Sequence, residues 1–435
     1  MKLAVKNRRK IRPAAPTFQG IMPLTEMDLI GVVDHVSLIY FYPSHPQDAF
    51  AVIAESLQKV LVYFYPLAGR LRRLFGGRME IVCNGEGAVL IEAACDDVED
   101  IDVLYDFAKS GDCQNLVPQV DYSGEIDDIP LLLVQLTAFR RGGVSVGLSF
   151  SHAVVDGKSV GHFLSEWSRI ARGEPIGELP FLGREITIAG DAKPLSSFPP
   201  APLIIGETDG RKEREKETTL TQLKITKSQI EALKKEANRT AGDKPCGRYK
   251  AIAAHVWRSA CRARSHEDNQ PTWMCIYVDV RKRVSPNLPD NYFGNAVVPA
   301  IAESFSGELV KKPLGFTVDK IREAIDGVTS EFVHSAVRFI RNLDDLSPFQ
   351  FMQHRKSRDL EFYGNPNVTV TSGLGSPKNG LDFGWGKEVL MIPFADNFYC
   401  DGESFVFEDG GDVAVFICLQ SEVVEEFRRI FYEDL

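Results

Sequence analysis

The chain has 435 residues, of which 44% are apolar and 25% charged, and its formal net charge is −10 at pH 7. This length and apolar content predict two or three packed domains and exclude a disordered chain, while the acidic balance argues against a nucleic-acid partner. No apolar run reaches the roughly 18 residues of a membrane span, and no apolar signal segment follows Met1, so we expect a soluble, cytoplasmic protein with no membrane partner.

The first elements along the chain are a strand, a second strand and a helix. The basic stretch at residues 6–12 is interpreted as a solvent-exposed strand. Residues 37–42 are β-branched and aromatic, which is typical of a buried strand, and the apolar spacing over 48–62 predicts a helix.

Two β-hairpins are predicted next. Residues 78–83 and 88–93 flank an Asn-Gly-Glu-Gly turn, and residues 131–139 and 144–150 flank a second turn that contains two glycines. Small residues occupy every second position of the last strand, so that its second face can line a cavity or pass close to another backbone: Ser145, Gly147, Ser149 and Ser151.

A change in composition divides the chain. Residues 174–216 are rich in proline and end in a mixed-charge stretch, which is typical of a crossover between domains. The second half repeats the mixture of strands and helices: a strand at 219–225, a helix opened by a Thr226 and Gln229 capping box, a helix over 249–262 and a strand at 273–280. We therefore predict an α/β protein with three parts: an N-terminal domain (1–190), a crossover linker (191–217) and a C-terminal domain (218–435).

The eight cysteines are scattered and include no C-x-x-C pair. This pattern favours reduced thiols that fill core space over a disulfide framework or a zinc site. His152 and His162 are ten residues apart, which suits no common metal-ligand spacing, and we expect no bound metal.

The clearest candidate for chemistry is His152, which follows the alternating strand and precedes a helical pattern that begins at Gly157. Imidazole titrates near neutrality, so it is a natural general base, whereas the alternative is a buried histidine satisfied by backbone groups. Asp156 could hold the loop, orient the ring or meet a cation. The Gly157-Lys158-Ser159 sequence resembles the end of a P-loop, but His152 stands where the first glycine of that motif is required, and no G-x-S-x-G elbow supports a serine hydrolase.

Two further segments combine glycine with aromatic residues. One is Asp382-Phe383-Gly384-Trp385-Gly386, and the other is Tyr292-Phe293-Gly294-Asn295, which follows Asp279-Val280-Arg281. Either one alone is typical of a structural turn. Taken together with His152-x-x-x-Asp156-Gly157 and the Tyr-Pro-Leu-Ala-Gly-Arg-Leu stretch at 65–71, they resemble the signatures of the plant BAHD acyltransferases, in the right order along essentially the whole chain.

This resemblance implies two chloramphenicol-acetyltransferase-like domains, each a mixed β-sheet with helices, that enclose a solvent channel. Acyl-CoA is then a co-substrate that enters from one face, the acceptor enters from the other, and the protein is a monomer without a resident cofactor. The family pattern makes His152 the catalytic base, pairs Asp156 with Arg281 in a structural role, and gives Trp385 a part in stabilising the oxyanion. It also assigns structural support of the channel to a further set: Asp382, Gly384 and Gly386.

Within the family, four stretches resemble the spermidine hydroxycinnamoyl transferases: residues 204–209, 362–367, 380–388 and 431–434. They predict transfer of a hydroxycinnamoyl or related aromatic acyl group to an amine such as spermidine. The alternatives are O-acylation of shikimate, quinate or another alcohol, acylation of a different amine, and a non-catalytic protein that binds acyl-CoA or a partner.

The acceptor side departs from the family pattern. Gly373 and Asn379 stand where relatives usually carry Trp and Tyr, so we expect an acceptor pocket with two aromatic walls missing and a larger free volume. Four residues are the substrate-binding candidates that the resemblance implies: Tyr40, Ser372, Gly373 and Asn379.

Overall fold

The computed structural model describes residues 2–44, 46–96, 112–140, 142–184, 193–194, 213, 216–240, 245–351, 364–373, 380–393 and 400–435. Most of the predicted linker at 191–217 lies outside these residues, as do Asn379 and residues 204–209.

The strands in chain order are β1 (Leu3–Ile11), β2 (Gly20–Pro23), β3 (Gly31–Val32), β4 (His35–Tyr42), β5 (Arg70–Arg73), β6 (Met79–Cys83), β7 (Ala88–Cys95), β8 (Leu132–Phe139), β9 (Val144–Ser151), β10 (Thr218–Ile225), β11 (Pro271–Asp279), β12 (Val297–Phe305), β13 (Gln350–Phe351), β14 (Val368–Ser372), β15 (Leu390–Pro393), β16 (Glu403–Asp409) and β17 (Asp412–Gln420). The helices are α1 (Ala49–Tyr63), α2 (Gly157–Ala171), α3 (Lys227–Asn238), α4 (Arg248–Ala263), α5 (Ser306–Lys311), α6 (Leu314–Asp326), α7 (Ser330–Arg341) and α8 (Val424–Glu433).

Two six-stranded mixed sheets form the framework. The first has the order β1-β7-β8-β9-β4-β15, and the second has the order β10-β17-β16-β14-β11-β12. Strand β15 comes from the second half of the chain yet pairs antiparallel with β4 in the first sheet. The prediction of two α/β units with mixed sheets is confirmed, and the second unit contributes one strand to the sheet of the first.

The two faces of strand β9 pack differently. Val146, Leu148 and Phe150 point into the core under α1 and α2 and are fully buried. On the opposite face, a Cβ atom at Gly147 would lie 2.0 Å from the carbonyl oxygen of Leu116. Only glycine fits so close to another backbone, which confirms the prediction made from the small residues of this strand.

Helix α2 begins where the sequence predicts it. Asp156 is its N-cap, and the Asp156 carboxylate accepts a hydrogen bond of 2.9 Å from the amide of Ser159. A side-chain oxygen at this position satisfies a helix amide that has no intrahelical partner. Helix α3 carries the predicted capping box between Thr226 and Gln229.

One of the two predicted hairpins is wrong. Strands β8 and β9 form an antiparallel pair as predicted, but β6 and β7 belong to different sheets. Strand β6 pairs with β2 and β5, whereas β7 pairs with β1 and β8. The turn residue Gly87 has a φ of +96° and donates its amide to the carbonyl of Ala68, so it redirects the chain into the large sheet.

All eight cysteines have free thiols. Among the helices of the described residues, none is both long and apolar enough to cross a bilayer. The part of the chain that the structure describes holds no cluster of three or more His, Cys, Asp or Glu side chains arranged for a metal ion.

Candidate active site

His152 lies in the short loop between the end of β9 and Asp156, the N-cap of α2. Two hydrogen bonds hold the backbone of this residue. Its amide donates to the carbonyl of Asp34 at 2.8 Å, and its carbonyl accepts from Asn295 Nδ2 at 2.8 Å. The residue as a whole is half-buried.

The carboxylate of Asp156 forms a buried ion pair with Arg281, as the resemblance predicts. The distance between Arg281 Nη1 and Asp156 Oδ2 is 2.9 Å, and the two side chains are 0% and 2% exposed. Asp156 Oδ2 also accepts the amide of Ala296 at 3.0 Å. Since Asp156 comes from the first half of the chain and Arg281 from the second, the pair joins the two halves directly beneath the His152 loop.

The guanidinium of Arg281 has further partners around Asp156. Its Nη1 also faces Asp279 Oδ1 at 3.1 Å, and its Nη2 donates to the carbonyls of Tyr292 and Gly294, each at 3.1 Å. The planar fork of an arginine allows this many donors to converge, which a lysine would not. The Tyr292–Asn295 segment is therefore a partner of the ion pair, a role that its sequence alone did not indicate.

The electrostatic surroundings of His152 favour a neutral imidazole. Burial lowers the pKa of His152 below its usual value of about 6.5. A hydrogen bond to its own backbone carbonyl and the negative charges of Asp156 and Asp28 oppose this shift but do not cancel it. A neutral ring at physiological pH has a free nitrogen lone pair and can accept a proton.

A cavity of about 160 Å³ lies beside the start of the His152 loop. Its lining is half polar and combines apolar side chains with charged and polar ones: Val33, Leu71, Ile126, Ile129 and Leu131, and Asp34, His35, Arg73, Tyr122, Glu125 and Ser151. The hydroxyl of Ser151, the residue just before His152, is buried there and has no hydrogen-bond partner in the described structure. A buried hydroxyl without a partner is costly and is satisfied when a polar ligand group reaches it.

The Asp382–Gly386 segment lies elsewhere, on the core of the first sheet. Asp382 Oδ1 accepts the amides of Gly384 and Gly386, at 2.8 and 3.0 Å, and both glycines have positive φ angles. The backbone carbonyl of Asp382 accepts a hydrogen bond from Arg172, which follows the end of α2. These contacts stabilise a tight turn against the end of α2 that is far from His152.

The described contacts place Trp385 against Tyr42 and not against His152, and its predicted part in stabilising the oxyanion stays a prediction. The indole packs against Tyr42, with ring centroids 6.0 Å apart. On β4, His35 pairs with Ser151, the neighbour of His152, whereas Tyr42 is seven residues further along. Seven residues of strand span about 23 Å. An oxyanion donor must lie within hydrogen-bond distance of the reacting atoms, so this placement favours a packing role for Trp385.

Tyr40 and Ser372 occupy different sheets. Tyr40 lies on β4, five residues or about 16 Å along the strand from His35, opposite Met391 of β15. Its side chain is half-buried, and burial raises its pKa. Ser372 is exposed at the carboxyl end of β14. Because β14 and β11 are parallel, this end lies beside the end of β11 that leads to Arg281.

Gly373 lies close to an aromatic ring of the neighbouring strand. A Cβ atom at this position would lie 2.2 Å from the ring of Phe407, on the neighbouring strand β16. The Phe407 ring thus fills the space in which a side chain at residue 373 would begin. The expected loss of an aromatic wall from the acceptor pocket stays a prediction for Gly373, while Asn379 lies outside the described residues.

Sequence reasoning missed three residues that surround the His152 loop: Asp28, Arg184 and Asn295. Asp28 and Arg184 form a second ion pair at 2.7 Å, with both side chains fully buried. Nothing near either residue in the sequence marks it as special. Asn295 belongs to the Tyr292–Asn295 motif, but its contact with the carbonyl of His152 joins residues that are 143 positions apart in the sequence.

Comparison with known proteins gives consistent matches over the full length. The transferase family model matches residues 1–434. A hydroxycinnamoyl-CoA:piscidic acid hydroxycinnamoyltransferase of Actaea racemosa is 37% identical, and a shikimate O-hydroxycinnamoyltransferase of Nicotiana tabacum is 33% identical. A hydroxycinnamoyl-CoA:5-hydroxyanthranilate N-hydroxycinnamoyltransferase of Avena sativa is 32% identical. Each alignment covers 100% of both proteins.

Solved structures agree on the fold. The crystal structure of vinorine synthase superposes with a TM-score of 0.73 at 21% identity, and the match covers 98% of this chain and 96% of that one. The crystal structure of F. graminearum TRI101 complexed with ethyl coenzyme A gives a TM-score of 0.79 at 16% identity, covering 95% and 97%. At these identities the likeness supports the arrangement of two sheet-containing units.

Proposed function

The chain belongs to the transferase family and is a BAHD acyltransferase, and from this we propose that it moves a hydroxycinnamoyl group from coenzyme A to a small acceptor, with His152 as the general base. The observation that carries the proposal is the placement of His152. The two halves of the chain meet at its loop, which a buried ion pair between them holds in place.

The chemistry needs one group that accepts and then returns a proton. His152 takes the proton from the acceptor hydroxyl or amine as that oxygen or nitrogen attacks the thioester carbonyl carbon. The tetrahedral intermediate then collapses, the carbon–sulfur bond breaks, and the imidazolium protonates the departing thiolate to give free CoA. Neither an acyl-enzyme nor a redox step is required, because the new ester or amide bond replaces the thioester bond directly.

The cavity beside the His152 loop supports an aromatic substrate group. An engineered protein cavity of about 150 Å³ holds a benzene ring, so a cavity of about 160 Å³ has room for one aromatic ring, and its half-polar lining suits a ring that carries polar substituents. The unpartnered Ser151 hydroxyl supplies a hydrogen-bonding group on its wall. We infer that a ring of the donor or the acceptor lies here during the reaction.

The relatives favour an acid as the acceptor. Their names include piscidic acid, shikimate and 5-hydroxyanthranilate, which are acids or their anions, whereas none of these three names a polyamine. We therefore propose O-acylation of a hydroxy acid as the first candidate, which was the alternative in the sequence interpretation. Acylation of an amine is the second candidate, since the Avena sativa relative is an N-acyltransferase. Spermidine remains a specific acceptor to test within the amine candidate.

The experiment measures release of free CoA thiol from p-coumaroyl-, caffeoyl-, benzoyl- and acetyl-CoA. Each donor is combined with piscidic acid, shikimate, 5-hydroxyanthranilate or spermidine, and products are identified by mass. We expect turnover with hydroxycinnamoyl donors and a hydroxy acid. Turnover with spermidine alone would contradict the first candidate, and no turnover with any hydroxycinnamoyl donor would contradict the proposed donor.

Replacement of His152 tests the base. His152→Ala should lower kcat by about 10²–10⁴-fold, the usual contribution of general-base catalysis, without changing the melting temperature. His162→Ala is the matched control, since His162 lies on α2, bonds to the carbonyl of Glu178 and packs on Phe64. Near-normal turnover by His152→Ala would show that the general-base role is wrong.

A further inference from the structure

A second buried ion pair, besides Asp156–Arg281, contacts the His152 loop. Asp28 Oδ2 faces Arg184 Nη1 at 2.7 Å and accepts the amide and hydroxyl of Thr25 at 2.8 and 2.7 Å. Arg184 Nη2 donates to the carbonyl of Val154, within the loop itself, at 2.6 Å. It also donates to the carbonyl of Phe293 at 3.2 Å. This guanidinium therefore ties the His152 loop to the Tyr292–Asn295 segment.

Asn295 links this ion pair to His152. Its amide and its Nδ2 both donate to Asp28 Oδ1, at 2.8 and 3.1 Å, and the same Nδ2 donates to the carbonyl of His152 at 2.8 Å. The next amide along the chain, that of Ala296, donates to Asp156. Two successive amides of one segment thus bind the carboxylates of two separate buried ion pairs.

We propose that Asn295, held by the Asp28–Arg184 ion pair, is a positioning residue that aims His152. The inference rests on the proposed function of His152 as the base. Asn295 fixes the peptide that follows the His152 Cα, and Asp34 fixes the peptide that precedes it. With both flanking peptides held, the direction of the bond from Cα to the imidazole is set by the junction between the two halves of the chain.

The orientation of the imidazole matters because proton transfer requires a heavy-atom separation of about 2.6–3.2 Å. A misplacement of about 1 Å can cost roughly 10²-fold in rate even when the chemical groups are intact. The two ion pairs have different contacts: Asp28–Arg184 bonds to Val154, Phe293 and Asn295, whereas Asp156–Arg281 bonds to Ser159, Ala296 and the carbonyls of Tyr292 and Gly294. Positioning by Asn295 is therefore separable from the structural role of Asp156.

The first test compares Asn295→Ala with Asn367→Ala. Both asparagines are buried, at 3% and 2% exposure. Asn367 immediately precedes β14, at the opposite end of that strand from Ser372, and its side-chain oxygen accepts the amide of Trp273. We expect Asn295→Ala to lower kcat about 10- to 100-fold with KM values for both substrates within about twofold, and Asn367→Ala to leave kcat unchanged. Asn295→Ser keeps one side-chain donor and should recover part of the loss.

Two outcomes of this comparison would overturn the proposal. Equal kcat for Asn295→Ala and Asn367→Ala would show that the aim of His152 does not depend on Asn295. Loss of folded protein in Asn295→Ala without a change in the kcat of the folded fraction would show a purely structural role. Failure of the base assignment itself is read separately, from near-normal turnover of His152→Ala.

The second test uses the charge of Asp28. Within the described part of the chain, the charged side chains around His152 are the carboxylates of Asp28 and Asp156 and the guanidinium groups of Arg184 and Arg281. Asp28→Asn removes a negative charge that raises the pKa of His152, so the acidic limb of the kcat/KM profile should move to lower pH. An unmoved limb together with an unchanged kcat would contradict the link between this ion pair and His152.

The control for the second test is Asp401→Asn. Asp401 forms a comparable buried ion pair with Arg264, at 3.0 Å and with side chains 5% and 1% exposed. Cys275, Thr369 and Glu403 lie side by side in the second sheet. Asp401 precedes Glu403, whereas Arg281 follows the other end of β11, so Asp401 lies roughly 20 Å along the strands from the β11 end that leads to Arg281. Both Asp→Asn variants break a buried ion pair, so both should melt earlier, but only Asp28→Asn should change the pH profile.

Discussion

Substitution of Asp156 by alanine is the most direct test of the junction between the two halves. The carboxylate has four contacts in the structure: the amides of Ser159 and Ala296 and two nitrogens of Arg281. Alanine removes all four at once. It leaves the Arg281 guanidinium, which is 0% exposed, without its main counter-ion.

The expected cost can be worked out from these contacts. Removal of one partner of a buried ion pair costs about 3–5 kcal/mol. Arg281 keeps Asp279 at 3.1 Å and two backbone carbonyls, so the cost should lie near the lower end, about 3 kcal/mol. Loss of the α2 N-cap adds about 1 kcal/mol. A total of about 4 kcal/mol corresponds to a drop in melting temperature of roughly 10 °C for a protein with domains of this size.

The assay is a thermal melt combined with kcat measured on the folded fraction. We expect Asp156→Ala to lose melting temperature and activity together, because the ion pair holds the loop that carries His152. The control is Asp290→Asn, which breaks a contact between Asp290 and Lys158 that joins the same two segments at the surface, with side chains 62% and 45% exposed. Exposed pairs contribute little, so its melting temperature should not change measurably. If Asp156→Ala melted normally but lost activity, Asp156 would be acting in the chemistry and the structural argument would be refuted.

Two further predictions concern Trp385 and acid stability. Trp385→Ala should lower the melting temperature, because the indole packs on Tyr42 and Phe383, but it should change the kcat of the folded fraction by less than about threefold; a 100-fold loss of kcat at unchanged stability would restore a catalytic role. Burial lowers the pKa values of His35, His255 and His266 to about 4. Since the unfolded chain has histidine pKa values near 6.5 and so binds more protons between pH 6.5 and 4, stability should fall as pH decreases through this window. Melting temperatures at pH 7, 6, 5 and 4 measure the effect, His255→Gln should weaken it, and a flat profile would show that these histidines are not buried in the neutral form.

The local elements were predictable because they depend on neighbouring residues. Alternating apolar residues predict strand β9, and the small residues between them predict a close backbone approach, which Gly147 makes to Leu116. The N-cap of α2 and the capping box of α3 follow from residues three positions apart. Each of these features is decided within a few residues, so the sequence order contains the information.

Features that join distant parts of the chain were not predictable in the same way. An Asn-Gly turn between two β patterns favours a hairpin, yet β6 and β7 separate because β1 pairs with β7 and β2 pairs with β6. The role of Phe407 beside Gly373 depends on which strand lies next to β14. Trp385 illustrates the limit for the site, since motif resemblance does not give the distance between the indole and His152.

The two buried ion pairs connect folding with catalysis. Asp28, Arg184 and Asp156 come from the first half of the chain, whereas Arg281 and Asn295 come from the second. Neither half alone holds both peptides that flank His152, because the carbonyl of His152 is fixed by Asn295. Strand β15 adds to this dependence, since it crosses from the second half to cover the edge of β4, the strand that pairs with β9. If His152 is the base, as we propose, its orientation depends on contacts that only the docked halves supply, and this gives a reason for two buried ion pairs, costly to desolvate, beside its loop.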